Sequence, residues 1–378
     1  MSYSDYCIDL LSSLVAISSE SQQESAIAQF LYEWLRDMGV ESTLHQLSKT
    51  TFNVYGCLKG NRTGNSNRKV IIGGHIDTVP IFPNWTTDPL SLTQVGNNLY
   101  GVGAGDMKGG IAALITAMKM LIDKGRDFVG TLEFVGLCDE ERFSDGAKLY
   151  SKLEQRWHGA SLAIFAEPHY DEIVVGAPGK SLIECMVTGK PGHAALPMSG
   201  INAIDCACKM LYFLLQEYQD VNFSDAFGSF CTLSIDSRNN GYSLSIPAEC
   251  QILINKQIGL NENISSFITK IENIYSRFVG RGLISVNAIE PKYQPYLLDV
   301  SNPDLMKLLG IIEGRSGRVP KLIVNNGVSD ANIFVGDLKI PTVLYGPKGV
   351  DIHKPNEYVE KSSLISYAQT VADFIETL

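Results

Sequence analysis

The chain has 378 residues, of which 45% are hydrophobic and 19% charged, and its formal net charge is −10 at pH 7. This length favours two domains over one, and no apolar run reaches the roughly 20 residues that a membrane-spanning helix needs. No basic block offsets the acidic balance, which argues against nucleic acid as a partner.

The N-terminus and the cysteines predict a cytoplasmic protein. Residues 1–13 (MSYSDYCIDLLSS) carry early acids and no basic segment, so they do not resemble a secretory signal. The eight cysteines are scattered, and none forms a C-x-x-C pair. Such cysteines are typical of reduced thiols in a cytoplasm.

Helix and strand patterns alternate along the first half of the chain. Ser21 and Glu24 have the spacing of a capping box, and apolar residues follow at helical period until Gly39. Residues 107–125 have the period and length of another helix. Four short apolar runs read as buried strands: KVIIGGHI, TLEFVGLC, ASLAIFA and, much later, IPTVLYG. The alternation predicts an α/β fold with a mostly parallel sheet between helices.

The pattern changes between two stretches that contain Gly and Pro, GAPGK at 176–180 and EPKYQPY at 290–296. Between them three runs read as strands (SLIECMVTG, FCTLSID and ECQILIN), and residues 202–215 and 264–278 read as helices. We therefore predict an inserted α+β domain at residues 178–292. Residues 1–177 and 293–378 would together form the other, larger domain.

Each buried strand outside the inserted domain is followed by a potential metal ligand or base. His75 and Asp77 are two residues apart, so in an extended chain they point to the same face. Open α/β sheets bind ligands beyond the carboxyl ends of their strands. The other candidates there are Asp106, which follows a glycine-rich loop, Asp139-Glu140-Glu141, Glu167 and His353.

This concentration of carboxylates and imidazoles predicts a metal centre. A single acid of this kind is more typical of a solvated loop, but five loops at equivalent positions would concentrate negative charge that only a cation neutralises. Imidazole with carboxylate suits zinc, with cobalt or manganese as alternatives. The donors exceed what one tetrahedral ion requires, so two ions that share a carboxylate are favoured. Of the neighbours Glu140 and Glu141, one would bind metal and the other would act as general base.

Six motifs in order resemble the metallopeptidase family of acetylornithine deacetylase, succinyl-diaminopimelate desuccinylase, aminoacylase and the carboxypeptidase G type. They are HIDTVP, GAGDMKGG, CDEERFSDG, EP, GKPGHAALP and HKPNEYV, and the resemblance spans the whole chain. It implies a phosphorylase/hydrolase-like catalytic domain with an inserted lid and dimerisation domain. His75 and Glu167 would bind one metal, Glu141 and His353 the other, and Asp106 would bridge both.

The resemblance also implies roles for three further residues. Asp77 would orient His75 through its other ring nitrogen, and Glu140 would be the general base. His193 would reach across a homodimer, formed through the inserted domain, to stabilise the developing oxyanion. By itself a histidine beside Gly192 and two alanines is more typical of a structural residue. His45 and His158 fit no motif and are predicted to be surface residues. His169, two residues after Glu167, is predicted to face solvent, with a place near the pocket as the alternative.

The chain departs from the family where substrates are held. Members that bind a substrate carboxylate commonly have Asn before Ile-Pro and an Asp-x-Arg one strand later, whereas this chain has Ser245 and Asn255-Lys256-Gln257. An arginine clamps a carboxylate with two hydrogen bonds, which a neutral amide cannot do. Either Lys256, Arg238 or Lys180 compensates, or the substrate lacks the usual α-carboxylate. The predicted substrate contacts are Ser245, Lys256, Gln257, Asn332 and Gly346.

The predicted function is that of a two-metal amidohydrolase. A metal-activated water, with Glu140 as base, would hydrolyse the amide of a small N-acyl amino acid or dipeptide-like substrate. One alternative uses the same site to form or transfer an amide, and the other is a non-catalytic binding protein that keeps the fold. Glu140 and the complete set of metal positions argue against the non-catalytic alternative. Nothing in the sequence separates hydrolysis from condensation.

Overall fold

A computed structural model describes residues 1–64, 67–153, 159–218, 228–237 and 244–378. The chain divides into two units. The first comprises Met1–Gly176, Leu297–Asn325 and Ser329–Leu378, and the second comprises Ala177–Tyr296 with Asn326–Val328. The predicted catalytic role of one domain and the lid and dimerisation role of the other stay predictions.

The first unit is built on a nine-stranded sheet. Its strands are β1 (Glu41–Gln46), β2 (Phe52–Lys59), β3 (Lys69–His75), β6 (Thr131–Leu137), β7 (Ala160–Phe165), β8 (Glu172–Ala177), β13 (Tyr296–Leu297), β14 (Lys321–Val324) and β15 (Thr342–Leu344). They lie in the order β1-β2-β6-β3-β7-β15-β8-β13, and β14 pairs with β8. The four central strands β6, β3, β7 and β15 run parallel. The predicted mostly parallel sheet is confirmed.

The central strands are buried because helices cover the sheet. β3 is buried from Val70 to His75, the unbroken pattern expected of a parallel strand covered on both faces. Among the described residues of this unit, the helices are α1 (Tyr3–Val15), α2 (Ser25–Asp37), α3 (Gly109–Asp123), α4 (Asp145–Tyr150), α7 (Pro303–Ser316), α8 (Asp330–Gly336) and α9 (Lys361–Glu376). α3 lies so close to the end of β7 that a Cβ at Gly110 would come within 2.2 Å of the Ala166 carbonyl oxygen.

Two predicted helix starts were wrong. α2 begins at Ser25 with Glu24 as N-cap, and no side chain caps it. Ser21 and Glu24 do not form a capping box, because their side chains bind Asp77 and the Asp139 backbone instead. α3 begins at Gly109 because Asp106 and Met107, which are joined by a cis peptide bond, have non-helical backbone angles.

A small antiparallel sheet in the same unit links distant segments. Its strands are β4 (Thr93–Val95), β5 (Asn98–Tyr100), β16 (Gly349–Val350) and β17 (Tyr358–Glu360), in the order β16-β17-β5-β4. β5 leads into the glycine-rich loop before Asp106, and β16 and β17 flank His353. Pairing of β17 with β5 therefore brings these two loops together.

In the part of the second unit that the structure describes, a four-stranded antiparallel sheet packs against two helices. Its strands β9 (Gly179–Thr188), β10 (Phe230–Asp236), β11 (Glu249–Ile258) and β12 (Leu283–Tyr293) lie in the order β10-β11-β9-β12. The helices are α5 (Ala203–Glu217) and α6 (Ile264–Ile274), and a π-turn (Tyr275–Val279) follows α6. Alternate residues of β9 and β11 are buried, as expected when one face packs against helices.

The predicted break at residues 290–296 lies partly inside a strand. β12 continues to Tyr293, and its register shifts between Ile289 and Lys292. Pro291 is tolerated because β12 is an edge strand and the proline sits at this irregularity.

No helix among the described residues has the length and apolar character needed to cross a membrane. All eight cysteines are free thiols.

Candidate metal centre

Three neighbouring parallel strands deliver the predicted residues to one edge of the sheet. β3 ends at His75, β6 is followed by Asp139-Glu140-Glu141, and β7 is followed by Glu167. Because β6, β3 and β7 are parallel neighbours, their carboxyl ends meet at the same edge. Local sequence patterns and sheet topology together assemble this part of the site.

The first group of candidate ligands consists of His75, Asp106 and Glu167, whose donor atoms all lie within 4.8 Å of one another. His75 Nε2 is 3.1 Å from Asp106 Oδ1 and 3.9 Å from Glu167 Oε1. The His75 side chain is only 1% exposed. A buried imidazole that faces two carboxylates is a suitable donor set for a divalent cation.

The second group consists of Asp106, Glu141 and His353, again within 4.8 Å. His353 Nε2 is 2.9 Å from Glu141 Oε1 and 3.2 Å from Asp106 Oδ2. Asp106 thus turns one carboxylate oxygen toward each histidine. The donors present therefore fit two cations that share one carboxylate.

The electrostatics of the two groups also favour added positive charge. Burial, together with the neighbouring carboxylates, raises the pKa of Glu167 well above its usual value. Hydrogen bonds to Asp106 and Glu141 raise the pKa of His353 to about 10. Burial opposes the charged form of His75, yet hydrogen bonds to Asp106 and Asp77 raise its pKa. A divalent cation bound here would offset the charge of Asp106, Glu141 and Glu167.

Asp77 is fully buried and connects two strand ends. His75 Nδ1 lies 3.0 Å from the main-chain oxygen of Asp77 and 3.6 Å from its Oδ1. The carboxylate also accepts hydrogen bonds from the backbone N–H groups of Glu140 and Glu141, at 3.1 and 3.2 Å. Asp77 therefore lies where it can orient His75, and it also fixes the loop after β6.

Sequence reasoning missed Glu357, whose side chain supports the loop before Asp106. The residue is 3% exposed. It accepts hydrogen bonds from the backbone N–H groups of Gly103, Gly105 and Asp106 at 3.0, 2.9 and 2.7 Å. The only local signal was its position four residues after His353, which does not reveal a partner some 250 positions away.

Lys108 and Asp330 were also missed. Lys108 is 1% exposed, and burial lowers its pKa to about 7. Asp330 is 2% exposed, and burial raises its pKa to about 7. A buried lysine two residues after Asp106 and a buried aspartate at the start of α8 had no signal in periodicity.

Gly346 and Asn332, two of the predicted substrate contacts, both lie in the first unit. Gly346 packs against the backbone of Glu167, and a Cβ there would come within 2.3 Å of the Glu167 carbonyl oxygen. Asn332 is 0% exposed, and its Oδ1 accepts a hydrogen bond from the Ser329 N–H in the capping box of α8. The predicted substrate contact by Asn332 does not fit this position, because its side chain caps a helix.

The second unit brings His193 and Ser245 together. They form a β-bridge, although 52 positions separate them. The His193 residue is exposed, and its Nδ1 accepts a hydrogen bond from the Ala195 N–H at 3.1 Å. Ser245 is half-buried.

Lys256 does not fit the predicted substrate contact. Its side chain is 0% exposed, because it points to the helix-covered face of β11. The ammonium donates to Gly228 O, Gln257 O and Glu262 Oε2 at 2.6, 2.8 and 2.7 Å. All three of its protons are therefore used inside this unit.

Lys180 lies directly opposite Gln257 in the pairing of β9 with β11. Both residues are half-buried, and residues paired in this way have neighbouring side chains on one face of the sheet. Arg238, the third candidate for a compensating charge, lies outside the described residues, as does His158. His45 and His169 are both half-buried.

Comparison with known proteins adds a family match. The model of peptidase family M20/M25/M40 matches residues 71–377. The chain is 28% identical over 367 residues to a succinyl-diaminopimelate desuccinylase of Orientia tsutsugamushi, covering 93% of this chain and 90% of that protein.

Solved structures share the fold. Aminopeptidase PepT from Bacillus cereus superposes with a TM-score of 0.80 at 21% identity, covering 99% of this chain and 98% of that one. The YXEP protein of Bacillus subtilis, described as a dinuclear metal binding peptidase, superposes with a TM-score of 0.76 at 16% identity, with coverage of 99% and 98%.

Proposed function

The chain belongs to peptidase family M20/M25/M40, and from this premise we propose that it hydrolyses the amide bond of a small N-acyl amino acid or dipeptide-like substrate at a dinuclear metal centre. Membership makes the chain a hydrolase of C–N bonds. The observation that carries the finer proposal is Asp106, whose two carboxylate oxygens each face one histidine, at 3.1 and 3.2 Å.

His75, Asp106 and Glu167 would hold one ion, and Asp106, Glu141 and His353 the other. When bound, the ions supply Lewis acidity, which polarises the scissile carbonyl and makes a water molecule more acidic. Zinc suits the mixed imidazole and carboxylate donors, and cobalt or manganese would be accepted by the same ligands.

Glu140 is the proposed general base. Burial raises its pKa above the usual value, and a raised pKa makes a carboxylate a stronger proton acceptor. Its backbone is held by Asp77 at 3.1 Å, and its carboxylate belongs to neither ligand group. Glu140 would take a proton from the attacking water and deliver it to the leaving amine.

His193 is proposed to stabilise the oxyanion that develops on the carbonyl. Because its Nδ1 accepts the Ala195 N–H, the neutral ring carries its proton on Nε2, where it can be donated to an oxyanion. We propose that His193 acts on the partner's site in a homodimer formed through the second unit. A cytoplasmic location likewise stays a prediction.

The proposed substrate class is supported by the names of similar proteins and by the pairing of Lys180 with Gln257 between β9 and β11. Two similar proteins are named as a desuccinylase and as an aminopeptidase. Both names describe cleavage of an amide bond. The arginine that members use to hold a substrate carboxylate is replaced by Gln257. Lys180, opposite Gln257, is proposed to supply the positive charge that the arginine would have provided. Lys256 cannot supply it, because its ammonium is buried in an ion pair with Glu262.

A panel experiment tests the proposal. Metal-loaded protein is assayed on N-acyl amino acids and short dipeptides, and also with acyl donors and free amines, with Glu140→Gln as the control. Hydrolysis that depends on Glu140 supports the proposal. Net amide formation would favour the condensing alternative, and an absence of turnover with tight substrate binding would favour the non-catalytic one.

A further inference from the structure

We propose that Ser21 and Glu24, on the short connection between α1 and α2, are positioning residues that set the loop carrying the general base. Neither belongs to a group of candidate ligands. The inference rests on the proposed function, because it assigns these residues an effect on Glu140.

The connection lies alongside the end of β3. The Thr78 N–H donates to Ser19 O at 2.9 Å, and the Ser21 N–H donates to Thr78 O at 3.2 Å. These bonds form a parallel β-bridge between Glu20 and Thr78. The backbone of the connection is thus fixed next to Asp77 before any side chain acts.

Ser21 completes the set of donors to Asp77. Its hydroxyl donates to Asp77 Oδ2 at 2.7 Å. The same oxygen accepts the Glu141 N–H at 3.2 Å, and Asp77 Oδ1 accepts the Glu140 N–H at 3.1 Å. A bond to a buried carboxylate is among the stronger hydrogen bonds. Without it, only the two backbone bonds would hold the Asp77 carboxylate, so the position of the Glu140 backbone would be less tightly fixed.

Glu24 holds the same loop at its first residue. It is 0% exposed, and its Oε1 accepts the Asp139 N–H at 3.1 Å and the Gln22 N–H at 2.8 Å. Asp139 has a left-handed backbone with φ of 64°, a conformation that L-residues rarely adopt without support from their surroundings. Glu24 therefore fixes the turn that aims Glu140.

A third contact links the connection between α1 and α2 to the loop that carries Asp106, the proposed bridging ligand. The buried Lys108 ammonium donates to Ile17 O at 2.8 Å, and Lys108 follows Asp106 by two residues. One connection near the N-terminus thus touches the loops that carry Asp77, Glu140 and Asp106. This pattern is expected of a segment that holds several loops in fixed positions relative to one another.

Ser21→Ala tests the inference, and Ser19→Ala is its matched control. Ser19 is 1% exposed, and its hydroxyl has no hydrogen-bond partner among the described residues. We expect Ser21→Ala to lower kcat about tenfold at saturating metal, as loss of one hydrogen bond to a charged group implies, with KM within about twofold. Cobalt titration should show one of two ions bound several-fold more weakly, because Glu141 shares Asp77. Ser19→Ala should change neither quantity.

Glu24 provides a second pair of variants. Glu24→Gln keeps an acceptor oxygen for Asp139 and should retain most of kcat, whereas Glu24→Ala should lower kcat at unchanged KM. Equal losses for Ser21→Ala and Ser19→Ala, or for Glu24→Gln and Glu24→Ala, would show a merely structural role and overturn the inference. If the unmutated protein turns over no substrate, the proposed function fails, and the cobalt titration alone still decides the role of Ser21.

Discussion

Asp77 Oδ1 accepts the backbone N–H of Glu140 at 3.1 Å, so the residue expected to orient a metal-binding histidine also holds the residue expected to act as base. This bond ties the end of β3 to the loop after β6, two segments about 60 positions apart in sequence. Displacement of Asp77 would therefore disturb ligand and base together.

Metal removal should abolish activity. We expect the protein to bind up to two divalent ions per chain, because two groups of donors share Asp106. Elemental analysis before and after exhaustive chelation, with turnover measured on the same samples, checks this. Full turnover from metal-free protein would refute the proposed mechanism.

Glu140→Gln and Glu141→Gln should have different consequences. Glu140→Gln should lose on the order of 10²-fold or more of kcat while retaining both ions, because an amide cannot accept the proton. Glu141→Gln should weaken the binding of one ion, because its carboxylate lies 2.9 Å from His353 Nε2. Metal content and kcat are measured for both variants, and exchanged phenotypes would reverse the two assignments.

Lys180 should determine preference for a free substrate carboxylate. Lys180→Ala should raise KM for N-acyl amino acids about tenfold and leave KM for the corresponding amides unchanged, because only the acids carry the charge that Lys180 would bind. Gln257→Arg should lower KM for the acids. An equal effect on acids and amides would exclude Lys180, and Arg238→Ala would then be tested in the same way.

Lys256, unlike Lys180, should contribute to stability and not to substrate preference. Lys256→Met should lower the free energy of unfolding by about 3 kcal/mol, because it leaves Glu262 without its buried partner. It should not change the preference between acids and amides. Urea denaturation and the same pair of substrates distinguish the two lysines.

Glu24 should contribute to the pH dependence of stability. Burial, and then the charge of Asp77, raises its pKa from 4.5 to about 7 in the folded protein. The folded state then binds the proton more tightly than the unfolded chain. The stabilising contribution of Glu24 is therefore present below pH 4.5 and is lost as pH rises toward 7, by up to about 3 kcal/mol.

Glu24→Gln should flatten that dependence. The free energy of unfolding of chelated protein is measured in urea from pH 4.5 to 7.5 for both forms. Glu33 is an exposed glutamate on α2, and Glu33→Gln is the control that should follow the unmutated protein. A Glu24→Gln curve parallel to the unmutated one would contradict the raised pKa.

The sequence by itself determined the parallel sheet and the residues that follow each buried strand. These features are local. An apolar run bounded by glycine marks a strand, and two residues at i and i+2, such as His75 and Asp77, must share a face. Parallel strands then bring their ends to one edge whatever the loops contain.

Only the tertiary structure decided which polar side chains support that edge. Ser21 and Glu24 have capping-box spacing, yet their oxygens bind partners more than 50 positions away. Lys256 follows the inward alternation of Ile252 and Ile254, but its partner Glu262 is revealed only by the fold. A polar side chain can satisfy its hydrogen bonds locally or at long range, and the choice depends on which backbone groups the folded chain leaves unpaired beside it.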